Sequence, residues 1–573
     1  MRRNATKQWL AAQLLLAATA FTTTVTAQTT ETDVRVINEI DTVWHFGFQG
    51  INLYSRPIHR IDIAYPSKDL KGNPVELSGY VAIPADLYSG EQPVDGIVLN
   101  NHFTQLSYDG APTRGNAEGE DLAIANPLLP NYIVVCSDFY GFGITEGQGQ
   151  YFCYGTANGQ ASIDCLLAAR KLLDQRGISQ GRFLVNVGYS SGGYDAIATQ
   201  KLRDMYYSDQ IFFDKTLVGG FPFDMVDAFN TYIERKDDPS TALFGVLMIL
   251  DSYNKHADLG LDLPSMMNEP LASNFEEWFQ SGKYTTAEAN DSLKGLTLAE
   301  VLKDTLYRSD SPVFKKLKKA MQKVALENDW EPDTLQNYYV TSVIKDNIVP
   351  ASSCRAFANF LAYHYYEDLG DSSPLFDKSI IPEKTHLQTN FVINSTDHVT
   401  AGGLAYYLNL AATLAALPVL YYDGELNTHY SDLVKDFSVM QIIKKLEAAG
   451  IDVKGIVQER LASSGEGGSG GGLGGIFDLL ASLDEKLKPL NLTSVELLQI
   501  ADDSGLSLEE IAEIYTYLTE EEALARATNT DFSEPMPAKR AMQKRPLPGT
   551  PDYYLFFLEN WLKEKHVNIY EKD

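Results

Sequence analysis

Five residues near the middle of the chain, Gly188-Tyr189-Ser190-Ser191-Gly192, place a serine between two glycines. An apolar run from Phe183 to Val187 precedes them and a helix-compatible stretch follows, so the pattern predicts strand, tight turn and helix. A serine at the apex of such a turn has a strained backbone, and its hydroxyl projects above the sheet. Glycines are needed because side chains there would collide where strand and helix almost touch. The arrangement suits nucleophilic attack by the Ser190 hydroxyl; the alternative is a structural turn.

A serine nucleophile needs a general base, and the base needs an acid that orients it. On a strand-turn-helix serine, the partners follow in the order acid, then histidine. Asp346 comes just after an apolar run, Tyr338–Ile344, and is the predicted acid; the alternative is a surface turn. Among the five histidines beyond Asp346, only His398 lies between a predicted strand, Leu387–Ile393, and a predicted helix. His398 is therefore the predicted base, and a surface histidine is the alternative.

The tetrahedral intermediate of acyl transfer carries a negative oxygen, which backbone N–H groups can stabilise. Ser191 follows the nucleophile directly and is the first predicted donor. The second donor should come from the loop after an early strand, Gly96–Asn100. Thr104 is the predicted donor on that loop, with Phe103 as the second choice. His102 is expected to shape the loop rather than to act as the base.

The elements around these residues predict an α/β fold with a mostly parallel central sheet flanked by helices. Ile58–Tyr65 and Val75–Pro84 alternate in polarity and predict two antiparallel strands at the start of the domain. Continuous apolar strands then alternate with helices: strands over Gly96–Asn100, Tyr132–Cys136, Phe183–Val187, Thr216–Gly220, Tyr338–Ile344 and Leu387–Ile393, and helices over Ala161–Leu173, Ser191–Leu202, Pro350–Tyr366 and Val399–Leu417. Active sites of such sheets lie at the carboxyl ends of the strands, where Ser190 falls.

The strand rhythm is interrupted at about residues 222–333, which predict a helical cap inserted into a domain that spans residues 28–420. Helical runs are expected over Thr297–Leu306 and Val313–Leu326. The segment is rich in large apolar side chains: Phe244, Met248, Met266, Met267, Phe275, Trp278 and Phe279. Two interpretations remain open, because these residues could line an acyl pocket or only pack the cap onto the body.

Residues 421–573 have a different composition and predict a mainly helical C-terminal region with a glycine-rich loop at 463–475. That loop has no Gly-Lys-Ser/Thr ending, so it is not a phosphate-binding loop. The nearby carboxylates lack the spacing of a calcium loop. No chemistry is predicted for this region.

The first 27 residues have the features of an export signal. Arg2, Arg3 and Lys7 give a positive start, and the apolar stretch Trp9–Phe21 is too short to span a bilayer. Val25-Thr26-Ala27 is a small-residue cleavage site, so the mature chain is expected to begin at residue 28. No later stretch of the sequence is long and apolar enough for a membrane helix. A periplasmic or secreted protein is predicted.

The formal net charge of −29 argues against binding to nucleic acid or to an anionic membrane surface. The four cysteines could pair in an oxidising compartment, and a bridge between Cys153 and Cys165 is preferred. Cys136 lies in a strand-like run and is expected to be a buried free thiol. No cysteine pair has metal-ligand spacing.

The serine motif, the segment Asp346-Asn347-Ile348-Val349-Pro350, His398 and the order of elements resemble the α/β-hydrolase superfamily. Within it, the stretches Ser137–Gly143 and Tyr154–Ala169 resemble the secretory lipases. The resemblance covers roughly residues 58–417. It implies an exported serine hydrolase with a helical cap, which acts on a small-molecule or lipid ester through Ser190, His398 and Asp346. No cofactor or metal is implied.

Two other functions stay open at this point. Prolyl-peptidase-like relatives use the same three residue types to cleave amides, so a serine peptidase is one alternative. The second is a non-catalytic protein that uses a hydrolase scaffold to bind carbohydrate or a protein partner. The acyl chain, the alcohol and the oligomeric state are not readable from the sequence.

Overall fold

The structure is a computed structural model that describes residues 34–48, 51–114, 131–239, 242–344, 346–364, 367–371, 386–392 and 398, with single positions between 403 and 417. The predicted signal peptide (1–27) and the predicted C-terminal region (421–573) with its glycine-rich loop lie outside the described residues. Among the residues described, no helix combines the length and the apolar character that a membrane span requires.

Within the described residues, ten strands form one sheet, in the order β1-β2-β3-β5-β4-β6-β7-β8-β10-β9. Its strands are β1 Arg35–Phe48, β2 Ile51–Lys68, β3 Pro74–Pro84, β4 Gly96–Asn101, β5 Tyr132–Ser137, β6 Phe183–Tyr189, β7 Lys215–Gly219, β8 Tyr338–Val343, β9 Glu367–Asp371 and β10 His386–Val392. The strands from β5 to β9 in this order pair in parallel, whereas β1, β2, β3 and β5 pair antiparallel. The predicted α/β class with a mostly parallel sheet is confirmed.

Helices follow most of the parallel strands. They are α1 Ala85–Tyr88, α2 Ala157–Gln175, α3 Ser191–Tyr206, α4 Met225–Glu234, α5 Leu243–His256, α6 Leu271–Phe279, α7 Thr286–Ser292, α8 Leu298–Val301, α9 Pro312–Lys323 and α10 Ala351–Tyr363. Helix α2 ends where Gly177 adopts a positive φ of 67°, a conformation that glycine reaches without a Cβ clash.

Both faces of the sheet are covered, because alternate side chains of β3, β4 and β5 enter different apolar clusters. One cluster joins the sheet to α2 and contains Val81, Ile97, Leu99, Ile133, Val135, Leu166 and Leu173. The other lies on the opposite face and contains Tyr80, Ala82, Val98, Val134, Tyr406, Leu410, Leu414 and Leu417. The last four are helical positions at spacings of four, four and three, within the predicted helix Val399–Leu417. Most of that helix is otherwise outside the described residues.

Two strands were not predicted from the sequence. Strand β1 adds a third antiparallel strand at the start, and a register shift between Val36 and Asn38 breaks its alternation. Its apolar residues Ile37, Ile40 and Val43 are exposed, so the period of two is lost. Strand β9 has the sequence Glu-Asp-Leu-Gly-Asp, in which most residues are poor strand formers.

Several helix predictions are corrected at their ends. The predicted Val313–Leu326 is Pro312–Lys323, Ala161–Leu173 is Ala157–Gln175, and Ser191–Leu202 is Ser191–Tyr206. The run Thr297–Leu306 is not one helix: α8 ends at Val301 and a separate 3₁₀ turn covers Asp304–Leu306. The helix after Pro350 ends at Tyr363 rather than Tyr366, where β9 soon begins.

The segment between β7 and β8, called here the cap segment (residues 222–333), contains helices α4 to α9. It is hydrogen-bonded to the loops that follow β4, β5 and β8. The bonds run from the Tyr108 N–H to the Gly282 carbonyl (2.8 Å), from the Tyr253 hydroxyl to the Cys153 carbonyl (3.0 Å) and from the Tyr232 hydroxyl to the Ile348 carbonyl (2.6 Å). Since all three loops leave the carboxyl ends of parallel strands, the cap segment covers that edge of the sheet.

Candidate active site

Ser190 lies between β6 and α3, at the turn that the glycine-serine motif predicts. Its φ of 57° and ψ of −128° are rare for a residue with a side chain, and its N–H donates to the Gly219 carbonyl at 2.8 Å. A Cβ at Gly188 would lie 2.1 Å from the Gly192 carbonyl oxygen, and one at Gly192 would lie 2.1 Å from the Asn101 carbonyl oxygen. Both glycines are therefore required by the close contact of β6, α3 and β4.

Asp346 lies in the loop after β8, and its side chain is buried. One carboxylate oxygen accepts the N–H groups of Ile348 (2.8 Å) and Val349 (2.7 Å). The other oxygen lies 2.7 Å from Nδ1 of His398. The loop thus holds the carboxylate in one orientation, with a single oxygen directed at the imidazole.

His398 follows β10 and is 3% exposed. Its Nε2 lies 3.0 Å from Ser190 Oγ, so the ring connects Asp346 to Ser190. Its backbone N–H donates to the side-chain oxygen of Asn347 at 3.1 Å, and its carbonyl accepts the Tyr189 hydroxyl at 2.7 Å. The structure therefore brings Ser190, Asp346 and His398 together, although serine and histidine are 208 positions apart in the sequence.

Ser191 and Thr104, the two predicted oxyanion donors, are in contact. The Thr104 hydroxyl donates to the Ser191 hydroxyl at 3.0 Å, which joins the loop after β4 to the first residue of α3. The Ser191 N–H lies in the first turn of α3, where amide groups have no partner within the helix. Phe103, the second choice, presents its carbonyl to His102 Nδ1 at 2.9 Å.

His102 is the first residue of this loop and is buried, with Nε2 3.4 Å from the Asp138 carbonyl. Burial lowers the pKa of His102 to about 4, so the ring is neutral near neutral pH. The Asp138 carboxylate accepts hydrogen bonds from Ser78 and Thr113, and burial raises its pKa. These buried groups support the loop after β4, as expected for His102.

A cavity lies between the loop after β4 and the cap segment. Leu106, Phe152, Met248 and Phe279 form its apolar lining, and Asp251, Lys255 and Gln280 form part of its polar lining. Other large side chains of the cap segment, such as Met267 and Phe275, are buried in its core instead. The apolar cap residues therefore divide between a cavity wall and internal packing.

All four cysteines are buried and unpaired, so the expected bridge between Cys153 and Cys165 is wrong. The two thiols belong to different apolar clusters: Cys153 packs between cap and body, and Cys165 packs between α2 and the sheet. Cys136 is a buried free thiol, as predicted.

Sequence reasoning missed two residues at the site, Tyr189 and Asn347, which contact the backbone of His398. Their side chains could in principle point anywhere around a turn or a loop. The only signal in the sequence is that each is adjacent to a predicted site residue, Ser190 or Asp346.

A sequence model of the family described as secretory lipase matches residues 113–353, which is less than half of the chain. The match includes Ser190 and Asp346 and ends before His398. Among curated proteins, no sequence matches this chain.

Solved structures similar to this chain include a proposed hydrolase from Legionella pneumophila, with a TM-score of 0.53 and 16% identity over 68% of this chain and 100% of that one. The rice cell wall degrading esterase LipA from Xanthomonas oryzae has a TM-score of 0.51 and 18% identity, over 67% of this chain and 97% of that one. At such low identity the similarity is one of fold, and it covers nearly the whole of both relatives.

Proposed function

We propose, on the premise that this chain belongs to the α/β-hydrolase superfamily, that it is an exported serine hydrolase that cleaves carboxylic esters. The observation that carries the proposal is the relay from Asp346 to His398 at 2.7 Å and from His398 to Ser190 at 3.0 Å. The serine at its end is partly exposed and has a strained backbone. A non-catalytic protein would not need to maintain this geometry.

In the proposed reaction, His398 Nε2 takes the Ser190 proton while Oγ bonds to the carbonyl carbon of the ester. The N–H groups of Ser191 and Thr104 donate to the resulting oxyanion. When the intermediate collapses, the C–O bond to the alcohol breaks and His398 returns the proton to the leaving oxygen. Water, deprotonated by His398 Nε2, then attacks the acyl carbon. As the bond from that carbon to Ser190 Oγ breaks, His398 returns the proton to Oγ and the carboxylic acid is released. Asp346 orients the imidazole and stabilises its charged form.

Two features support an ester as the substrate rather than an amide. The secretory lipase match spans the serine and the acid, and one of the structurally similar proteins is an esterase by name. Export is supported by residues 1–27 and by the name of the matching family.

The proposal is tested by labelling the purified protein with a fluorophosphonate, which reacts with activated serines. The wild type should be labelled and Ser190→Ala should not, because the variant lacks the hydroxyl. Unlabelled wild-type protein would favour the non-catalytic alternative. Labelling of Ser190→Ala would place the nucleophile elsewhere.

The substrate class is tested by comparing p-nitrophenyl esters, from acetyl to long-chain acyl, with aminoacyl p-nitroanilides. We expect turnover of esters and little or none of anilides. Turnover of anilides alone would overturn the esterase proposal in favour of the peptidase. For export, we expect the N-terminus of the mature protein to be Gln28 by sequencing.

A further inference from the structure

The backbone of His398 is held from two sides by residues that no catalytic step uses directly. Asn347 accepts its N–H at 3.1 Å, and the Tyr189 hydroxyl donates to its carbonyl at 2.7 Å. Tyr189 precedes Ser190 and Asn347 follows Asp346. Ser190 and Asp346 therefore each have a sequence neighbour that is hydrogen-bonded to the backbone of His398. We infer that Tyr189 and Asn347 are positioning residues that fix the main chain of His398, an inference that rests on the proposed hydrolase function.

Tyr189 can act as a fixed donor because its ring is immobilised. It is 8% exposed and belongs to the apolar cluster on one face of the sheet. Its ring centre lies 5.0 Å from that of His398 and 5.2 Å from that of Tyr406. A Cβ at Gly219 or Gly220 would lie under 3 Å from the Tyr189 ring, which leaves the ring no space to turn away.

Asn347 is fixed through the loop that carries the acid. The Asp346 carboxylate accepts the N–H groups of Ile348 and Val349. Asn347 lies inside this hydrogen-bonded turn, between Asp346 and Ile348, and therefore has little conformational freedom. Residue 347 is partly buried, and its side-chain oxygen reaches the His398 N–H. The same loop therefore holds the histidine twice, at the ring through Asp346 and at the main chain through Asn347.

The main-chain contacts matter most after Ser190 has been acylated. Before the reaction, His398 is held by Asp346 and by Ser190 through its two ring nitrogens. In the acyl-enzyme, Ser190 Oγ is an ester oxygen and has no proton to share, so that tether is weakened. The imidazole must still place Nε2 within hydrogen-bond reach of water, and small displacements of a reacting group reduce rates strongly. Loss of either hydrogen bond to the main chain of His398 should therefore slow deacylation more than acylation.

The test uses Tyr189→Phe, which keeps the ring and removes the hydroxyl, and Asn347→Ala, which removes the acceptor. With a p-nitrophenyl ester, we expect each variant to lower kcat by about tenfold or more. KM should fall together with kcat, and a burst of p-nitrophenol should precede the slow steady state, because acyl-enzyme accumulates. Fluorophosphonate labelling, which needs only the first step, should slow by less than kcat. Asn347→Asp, which keeps an acceptor oxygen, should recover most of the kcat lost in Asn347→Ala.

Tyr132→Phe is the matched control. Tyr132 is also buried, and its hydroxyl also donates to a backbone carbonyl, that of Leu414 at 2.9 Å, but it begins β5 at the opposite edge of the sheet. It should lower the melting temperature about as much as Tyr189→Phe and leave kcat unchanged. A loss of kcat no larger in Tyr189→Phe and Asn347→Ala than in Tyr132→Phe overturns the inference, as does a loss confined to KM. If the wild type is nevertheless labelled and active, the proposed hydrolase function still stands. A wild type that is inactive and unlabelled would overturn both the proposed function and this inference.

Discussion

The two oxygens of Asp346 face different kinds of partner, and this determines what an amide at that position would do. One oxygen accepts two backbone N–H groups, and the other faces His398 Nδ1. In Asp346→Asn, the amide oxygen would keep the backbone bonds, and the NH₂ group would face Nδ1. Nδ1 would then have to accept, which moves the ring proton to Nε2 and prevents His398 from taking the serine proton.

We therefore expect Asp346→Asn to fold normally and to lose activity by about 10³- to 10⁴-fold. The measurement is kcat/KM for a p-nitrophenyl ester, with circular dichroism and melting temperature as checks of folding. A variant that retains a tenth of the wild-type activity would show that Asp346 does not orient the base.

Gly192 and Gly245 provide a paired test of the contact at the serine turn. A Cβ at Gly192 would lie 2.1 Å from the Asn101 carbonyl oxygen, whereas one at Gly245 in α5 would lie no closer than 3.7 Å to the Tyr232 hydroxyl. We expect Gly192→Ala to be inactive and strongly destabilised, because the backbones of α3 and β4 must move apart. Gly245→Ala should be neutral or more stable by up to about 1 kcal/mol, since alanine favours the helix. Thermal unfolding and esterase activity of both variants measure this, and a stable, active Gly192→Ala would contradict it.

Among the elements, α4 of the cap segment is attached directly to the loop that carries the acid. The Tyr232 hydroxyl donates to the Ile348 carbonyl at 2.6 Å, and Ser352 at the start of α10 donates to Asp227 at 2.7 Å. Burial raises the pKa of Tyr232, so its hydroxyl keeps the proton that it donates. The orientation of Asp346 therefore depends on the position of the first cap helix.

We expect Tyr232→Phe to lower kcat by roughly threefold to tenfold, far less than Asp346→Asn, because the carboxylate keeps its own contacts. Its effect should be larger on kcat than on KM for a short-chain ester. The comparison variant is Tyr253→Phe, which removes a buried hydroxyl that donates to the Cys153 carbonyl at 3.0 Å, away from the acid loop. Equal kcat values for the two variants would show that α4 does not influence Asp346.

The sequence predicts the parallel strands other than β9 to within one or two residues, because each of them is a short apolar run bounded by turn residues. It also predicts that Ser190, Asp346 and His398 meet, since all three follow the carboxyl ends of parallel strands. It could not predict β1, in which a bulge disrupts the alternation, or the direction of the Tyr189 and Asn347 side chains. The prediction of a bridge between Cys153 and Cys165 was wrong for a related reason. Their separation in the sequence does not indicate that the two side chains enter different apolar clusters.

For the molecule as a whole, buried carboxyl groups link stability to pH. Burial raises the pKa values of Asp164, Asp204 and Asp214 to about 6 each. The pKa of an aspartate in the unfolded chain is about 4, so between pH ~4 and pH ~6 the folded state binds more protons than the unfolded state. The resulting stabilisation is complete below pH ~4 and is lost as the pH rises through about 6. Repulsion among the negative charges of a chain with net charge −29 also lowers the stability of the folded state as the pH rises.

We expect the melting temperature to fall between pH 5 and pH 7.5, measured by calorimetry in buffers of equal ionic strength. Asp214→Asn should reduce this fall by a few degrees, since an amide can still accept the Leu184 N–H, which Asp214 accepts at 2.8 Å, without becoming charged. Its melting temperature should exceed that of the wild type at pH 7.5 and match it at pH 5. An unchanged pH profile in Asp214→Asn would exclude Asp214 as a source of the dependence.

The burial of every thiol has a practical consequence. Burial raises the pKa of Cys136, Cys153, Cys165 and Cys354, so the folded protein should be inert to maleimides and indifferent to reducing agents. A cysteine introduced at Leu335, which is 64% exposed, would then be the single attachment point for a dye or spin label. Motion near the end of the cap could be followed spectroscopically in this way, without first removing any native sulfur.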